Sequence, residues 1–191
     1  MRNMLETRIQ QQFFESADLL YQAAESLTKP LSSAAQVLVG SVTSGSRVLC
    51  AGAGLAQGDA ALLATQLTHQ FEQERPGLAA LLLQATLGPL NGLAALTRQV
   101  QAHGHPGDVL VWLDLDDDPE AGALLAAARA QDMAVVALAG PQAAVLRTAL
   151  LETDVLIPLT PARLARRHEL MRVALFALCD AIDAQLLGLE P

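Results

Sequence analysis

The stretch Val48-Leu-Cys-Ala-Gly-Ala-Gly-Leu-Ala-Gln-Gly-Asp-Ala60 decides how this chain is read. An apolar run enters a Gly-x-Gly turn, and the residues that follow have the composition of a helix. Continuous apolar runs closed by glycine are the pattern of strands buried on both faces. A strand–turn–helix of this kind aims backbone N–H groups at one point, and such turns often cradle a phosphate. Here Leu55 and Ala56 stand where a hydroxyl would assist.

The same pattern recurs outward from that stretch. Leu78–Leu83, Val109–Leu113, Met133–Leu138 and Val155–Leu159 are short apolar runs bounded by Gly, Pro or Asp, with Ala- and Leu-rich helical segments between them. Strands alternating with helices predict a doubly wound parallel sheet. Ligands in such sheets bind at the carboxyl ends of strands, so the segments after Ala51, Leu83, Leu113 and Leu138 are the places to search. Upstream, Ile9, Phe13, Ala17, Leu20, Ala24 and Leu27 recur at helical spacing from Met4 to about Thr28. Pro30 is then expected to open a second helix through Leu31, Ala34, Val37, Leu38 and Val42, with Gly45 as its stop. The last helix is expected from about Ala162 to Leu187, with Leu164, His168, Met171, Leu175, Leu178 and Ile182 on one stripe. The apolar surface of the two ends predicts self-association.

The chain has 191 residues, enough for one domain with its own core. Its formal charge of −8 argues against nucleic acid or an anionic membrane as partner, and 3% aromatic residues leave few stacking platforms for single strands. Glu6 and Arg8 interrupt the opening residues, so no signal peptide is expected. No apolar run reaches the roughly 18 residues of a membrane span, and a cytoplasmic location is expected. Cys50 and Cys179 read as two buried reduced thiols.

The ordered set Phe71-Glu-Gln-Glu-Arg-Pro-Gly-Leu-Ala-Ala80, His105-Pro-Gly-Asp-Val-Leu110, Asp132-Met-Ala-Val-Val-Ala-Leu138 and Leu178-Cys-Asp-Ala-Ile-Asp183 resembles the phosphoheptose isomerase branch of the sugar isomerase (SIS) domains. That resemblance implies a flavodoxin-like five-stranded parallel sheet with long N- and C-terminal helices, and usually a homotetramer. Residues 1–45 would then help form the oligomer interface, 46–160 the α/β core and 161–191 the C-terminal helix of a single SIS domain. Within the branch the chain is especially similar to the DnaA initiator-associating (DiaA) group, which implies a scaffold for the initiator DnaA.

The enzymes of the branch set a standard for the site residues. A Ser closely follows their glycine turn, whereas Gly52-Ala53-Gly54 is followed here by Leu55, Ala56 and Gln57, leaving at most a vestigial phosphate turn. After the third strand the enzymes wrap the phosphate in hydroxyls, whereas this chain has Leu113-Asp-Leu-Asp-Asp-Asp-Pro-Glu120. A carboxylate about 4 Å from a phosphate charge costs on the order of 1 kcal/mol in water and several times that in a cleft, so Asp114 and Asp116 argue against a sugar phosphate. The same acids admit three readings: helix initiation (Asp118 as N-cap, Pro119 first, Glu120 near the positive end), a protein-docking surface, or a hard-cation site. By the resemblance, Gln66 occupies the position of the catalytic Glu and Leu62 that of a His able to ligate metal. Met171 occupies the position of the partner His, with His168 about one turn away. The segment after Leu83 is shorter than the family's and lacks its Ala-Asn-Asp signature.

Two further features carry less weight. His103-Gly-His105 reads as a solvated turn, and Arg163, Arg166 and Arg167 as partners for acids across an interface. With the hydroxyls, the base and the acid all replaced, the expectation is a non-catalytic SIS-domain protein of DiaA type. It would need no cofactor or metal and would bind DnaA as a homotetramer, with the acidic loop, the N-terminal helix and the tail at Leu186 and Leu187 as candidate docking surfaces. The alternatives are a sugar-phosphate isomerase acting on sedoheptulose 7-phosphate with relocated residues, or a sugar-phosphate-sensing module.

Overall fold

The computed structural model describes residues 3–84 and 92–189. Five strands, β1 (Val48–Gly52), β2 (Ala80–Leu82), β3 (Val109–Asp114), β4 (Ala134–Ala139) and β5 (Val155–Pro158), form one all-parallel sheet in the order β2-β1-β3-β4-β5. This is the doubly wound, flavodoxin-like order. The winding reverses between β1 and β3, whose register pairs Gly52 with Leu113, so the two strand tips lie side by side. Ligands of open α/β sheets sit at that point.

Helices cover both faces. On one, α1 (Met4–Thr43), α2 (Ala56–Thr68) and α6 (Leu164–Leu187) bury a core that includes Leu38, Leu63, Met171 and Leu178. On the other, α3 (Gly92–His103), α4 (Ala121–Ala130) and the short α5 (Ala144–Ala149) close over Leu49, Leu110, Trp112 and Leu124. The central strand β3 is buried along its whole length. That burial explains its unbroken apolar sequence.

The N-terminal region departs from the expected pair of helices. It is one helix of 40 residues, about 60 Å long, with Pro30 inside it. A proline there removes one N–H and crowds the preceding turn, at a cost of about 3 kcal/mol. Burial of Ala23, Leu27, Ala34, Ala35 and Leu38 on one stripe carries the helix through the break. The hydroxyl of Thr28 also donates to Ala24 O at 2.6 Å, just before the proline. Gly45 ends the run as expected, at φ +87°, a conformation open to glycine. Beyond the core, α1 carries Phe13 and Tyr21 71% and 85% exposed, with Leu5, Ile9 and Phe14 also open.

Several residues that carried the family resemblance turn out to hold helices together. Arg75, from the Glu-Arg-Pro run, places Nε 2.5 Å from Oδ1 of Asp183, the last residue of the Leu178–Asp183 run on α6. Its remaining nitrogens donate to Gln66 O, Leu67 O and Pro76 O at 3.0–3.1 Å, satisfying carbonyls at the end of α2. Cys50 and Cys179 are free thiols buried in the same core. Burial pushes both thiols up, Cys179 to about 12, so neither is a thiolate at neutral pH.

Candidate functional site

The site is built where the tips of β1 and β3 meet the first turns of α2 and α6. Gly52 is required by close approach: a Cβ there would lie 2.5 Å from Ala56 O. Gly54 has φ +53°, and a Cβ built on it would lie 3.5 Å from Asp116 Oδ2. Leu55, at the N-cap of α2, makes no side-chain cap. The turn is closed by Ala53 N–H donating to Leu113 O at 3.3 Å and Ala56 N–H to Ala53 O at 3.0 Å. The glycine turn therefore survives as a joint between strand and helix, with a carboxylate of the chain itself in front of it.

The acidic loop is organised mostly inward. Asp114 is buried, and its carboxylate accepts the N–H groups of Asp116 and Asp118 at 3.0–3.2 Å. Burial pushes its carboxyl above the usual 3.8, opposed by the Asp118 amide. Asp117 adopts φ +59° beside Gly140. It accepts Gln142 N–H at 3.2 Å and sits 3.8 Å from Arg167 Nη1, whose guanidinium also bonds Leu115 O. Two of the acids are thus withdrawn from the surface, which narrows the docking surface expected there to Asp116, Asp118 and Glu120. The capping assignment shifts as well. Asp118 Oδ1 accepts Glu120 N–H at 2.8 Å, but α4 starts at Ala121, so Pro119 and Glu120 precede the helix instead of opening it.

The residues at the isomerase positions share no side-chain hydrogen bond among the described residues. Leu62 and Gln66 are half-buried on α2, and Met171 is fully buried in the core. Leu186 packs against the core, while Leu187 is exposed beside the left-handed cap Gly188. Arg163 pairs with Glu15 at 2.7 Å and Arg166 with Glu169 at 2.5 Å, Arg166 also reaching Gln12, so these two arginines tie α6 to α1. His105 lies against Arg47 and Asp108, which makes the His103-Gly-His105 turn a structural corner. The shortened segment after Leu83 falls largely in 85–91, outside the described residues. Among the described residues no group of three or more His, Cys, Asp or Glu is placed to hold a metal ion. No helix among them is long and apolar enough to cross a membrane.

His168 is the exception, and its partners were not foreseen. Asp59, with a side chain 0% exposed, receives His168 Nε2 on Oδ2 and Arg172 Nε and Nη2 on Oδ1 at 2.9 and 2.7 Å. The histidine is 29% and the arginine 51% exposed. Asp59 lies in the first turn of α2, where the macrodipole favours an acid. His168 and Arg172 are four apart, and so share a face of α6. That spacing was the available signal, but only the packing of α6 on α2 shows what the face meets.

Comparison with known proteins agrees with this architecture. The chain belongs to the SIS domain family, whose profile matches residues 12–140. It is 43% identical over 193 residues to a protein named phosphoheptose isomerase in Methylibium petroleiphilum, covering 97% of this chain and 96% of that one. It is 35% identical over 187 residues to the DnaA initiator-associating protein DiaA of Yersinia enterocolitica, covering 94% and 95%. The solved structure of phosphoheptose isomerase from Neisseria gonorrhoeae superposes with a TM-score of 0.85 at 28% identity, over 95% of this chain and all of that one.

Proposed function

We propose that this chain is a SIS-domain protein in which sugar-phosphate isomerisation at the family positions has lapsed, and that it serves as a homotetrameric cytoplasmic scaffold for the initiator DnaA. The observation that carries this reading is the carboxylate of Asp116 in front of Gly54, in a turn without hydroxyl donors. A phosphate entering there meets a like charge, at a cost of about 1 kcal/mol in water and several times more in a cleft. Gln66 cannot accept a proton near neutral pH, and Met171 is sealed in the core. The similarity to DiaA supports the partner, and the open apolar residues of α1 support assembly. In this reading residues 1–45 contribute to the subunit interface, 46–160 are the core, and Leu186 and Leu187 at the end of 161–191 lie near a docking surface. Four identical copies would hold several DnaA molecules through avidity.

The test combines three measurements on the full chain. Light scattering is expected to give a tetramer, a pull-down to retain DnaA, and sedoheptulose 7-phosphate to remain unconverted. A protein that ignores DnaA but converts the sugar phosphate would overturn the proposal. One observation favours the second reading, an isomerase with relocated proton transfer. Asp59 orients a partly open histidine near the family site, in a chain 43% identical to a protein named phosphoheptose isomerase.

A further inference from the structure

We propose that the outer edge of β2 is a docking site for an extended, basic segment of a partner protein, which joins the sheet as a further strand. Val48 N–H donates to Ala79 O and Leu83 N–H to Cys50 O, so the odd-numbered residues here turn their backbone groups toward β1. Ala80 and Leu82 therefore turn theirs outward, and neither makes a hydrogen bond on that side among the described residues. The next outward position, Gln84, shows what the edge accepts. Its N–H donates to Gln99 Oε1 at 3.1 Å, and Gln99 Nε2 donates to its carbonyl at 2.6 Å. A side-chain amide from α3 thus stands where the peptide group of a next strand would lie. The opposite edge of the sheet is blunted. There Leu159 N–H donates to Ala139 O, which puts Pro158 in the outward series of β5 with no N–H to offer.

The edge also defines its ligand. An extended chain running in either direction can make four hydrogen bonds to the N–H and C=O groups of Ala80 and Leu82. Its residue opposite Leu81 lies on the same face as that side chain, which is 39% exposed, so an aliphatic residue there covers apolar surface. Glu72 and Glu74, exposed in the connection that enters β2, make no ion pair among the described residues, and the chain carries a formal charge of −8. Lysine or arginine on either side of the aliphatic residue is therefore favoured. A second copy of this chain would bring the same acids to the same edge, which disfavours it as the occupant. The inference goes beyond the scaffold reading: it uses neither the glycine turn nor α1, and it holds for any partner of this chemistry.

The test uses the full-length chain labelled with nitrogen-15 and an acetylated peptide of alternating valine and lysine, about six residues long, the length of an ordinary strand. The peptide is expected to shift the amide signals of Ala80 and Leu82 and to slow their exchange with D2O, while the exchange of Leu81, whose N–H faces β1, stays unchanged. Glutamate in place of lysine is expected to weaken binding about tenfold or more. Methylating the backbone nitrogens of the peptide removes its donors and is expected to abolish binding. In Leu82→Pro the outward N–H is lost while the bonds to β1 are kept, and the peptide is expected to bind about fivefold more weakly. If that variant fails to fold, the methylated peptide makes the same test on the unaltered chain. Shifts confined to other surfaces, equal binding of the glutamate peptide, or binding of the methylated peptide would each overturn the proposal. Protection of Ala80 and Leu82 that rises with protein concentration alone, with no response to the peptide, would overturn it in favour of a second copy. None of these outcomes depends on DnaA, so the scaffold reading stands or falls separately.

Discussion

Two buried carboxylates join α2 to α6, one at each end of their contact, and they are buried in different ways. At the far end Asp183 meets Arg75, and both side chains are 2% exposed. The arginine spends its other donors on backbone carbonyls, and one oxygen of Asp183 has no hydrogen-bond partner among the described residues. At the near end Asp59 is as deeply buried, but both of its partners reach water. The first arrangement is closed and can only hold helices together. The second leaves a histidine and an arginine partly open to water at the first turn of α2. Equal burial of a carboxylate therefore says little about role; the exposure of its partners decides it.

The largest expected effect tests the closed end. Arg75→Met leaves Asp183 as an unpaired buried charge and uncaps the end of α2, so stability to urea is expected to fall by about 3–5 kcal/mol. A loss under about 1 kcal/mol would mean that water reaches Asp183 and that the end is not closed. The open end is expected to be cheaper to break. In Asp59→Ala both partners are left near the surface and can hydrate, so the loss is expected at about 1–3 kcal/mol. If Asp59→Ala proves more destabilising than Arg75→Met, the contrast between the two ends is inverted.

The same contrast explains what the sequence revealed. The inner strands were legible because β1, β3 and β4 are buried on both faces, which forces continuous apolar runs such as Val109–Leu113, whereas the edge strands β2 and β5 are only partly buried. The Glu-Arg-Pro and Cys-Asp motifs were legible as text, and Arg75 with Asp183 shows that their role is structural. Pro30 misled, because local backbone chemistry predicts a break that tertiary burial overrides. Asp59 and Arg172 were illegible, since neither is unusual in its own helix and 113 positions separate them. Gln66 and Met171 were singled out by resemblance, whereas Asp59 and Arg172 were not.

A smaller effect is expected at the glycine turn, where the Asp116 carboxylate lies against Gly54. Asp116→Ser removes the carboxylate facing Gly54 and returns a hydroxyl to that space. Inorganic phosphate, followed by the amide shifts of Gly54 and Ala56, is expected to bind about fivefold more tightly than to the unaltered chain, corresponding to about 1 kcal/mol. Unchanged weak binding would show that the missing hydroxyl after Gly54 matters and the carboxylate does not.

The smallest effect concerns Asp114, and its sign is the informative part. Burial holds the folded carboxyl above 3.8, although the Asp118 and Asp116 amides act in the opposite direction. With the folded value above the unfolded one, the native state binds the proton more tightly, so this group adds stability below 3.8 and loses it as pH rises through the folded value. Asp114→Asn has no proton to bind there, while its amide oxygen still accepts from the loop. The stability of the unaltered chain relative to Asp114→Asn is therefore expected to be greater at pH 4 than at pH 7. Taking the difference between the two chains removes the titration of every other carboxylate. The opposite trend would mean that the Asp116 and Asp118 amides outweigh burial, making the loop a cradle for negative charge and reopening the strand tips to an anion.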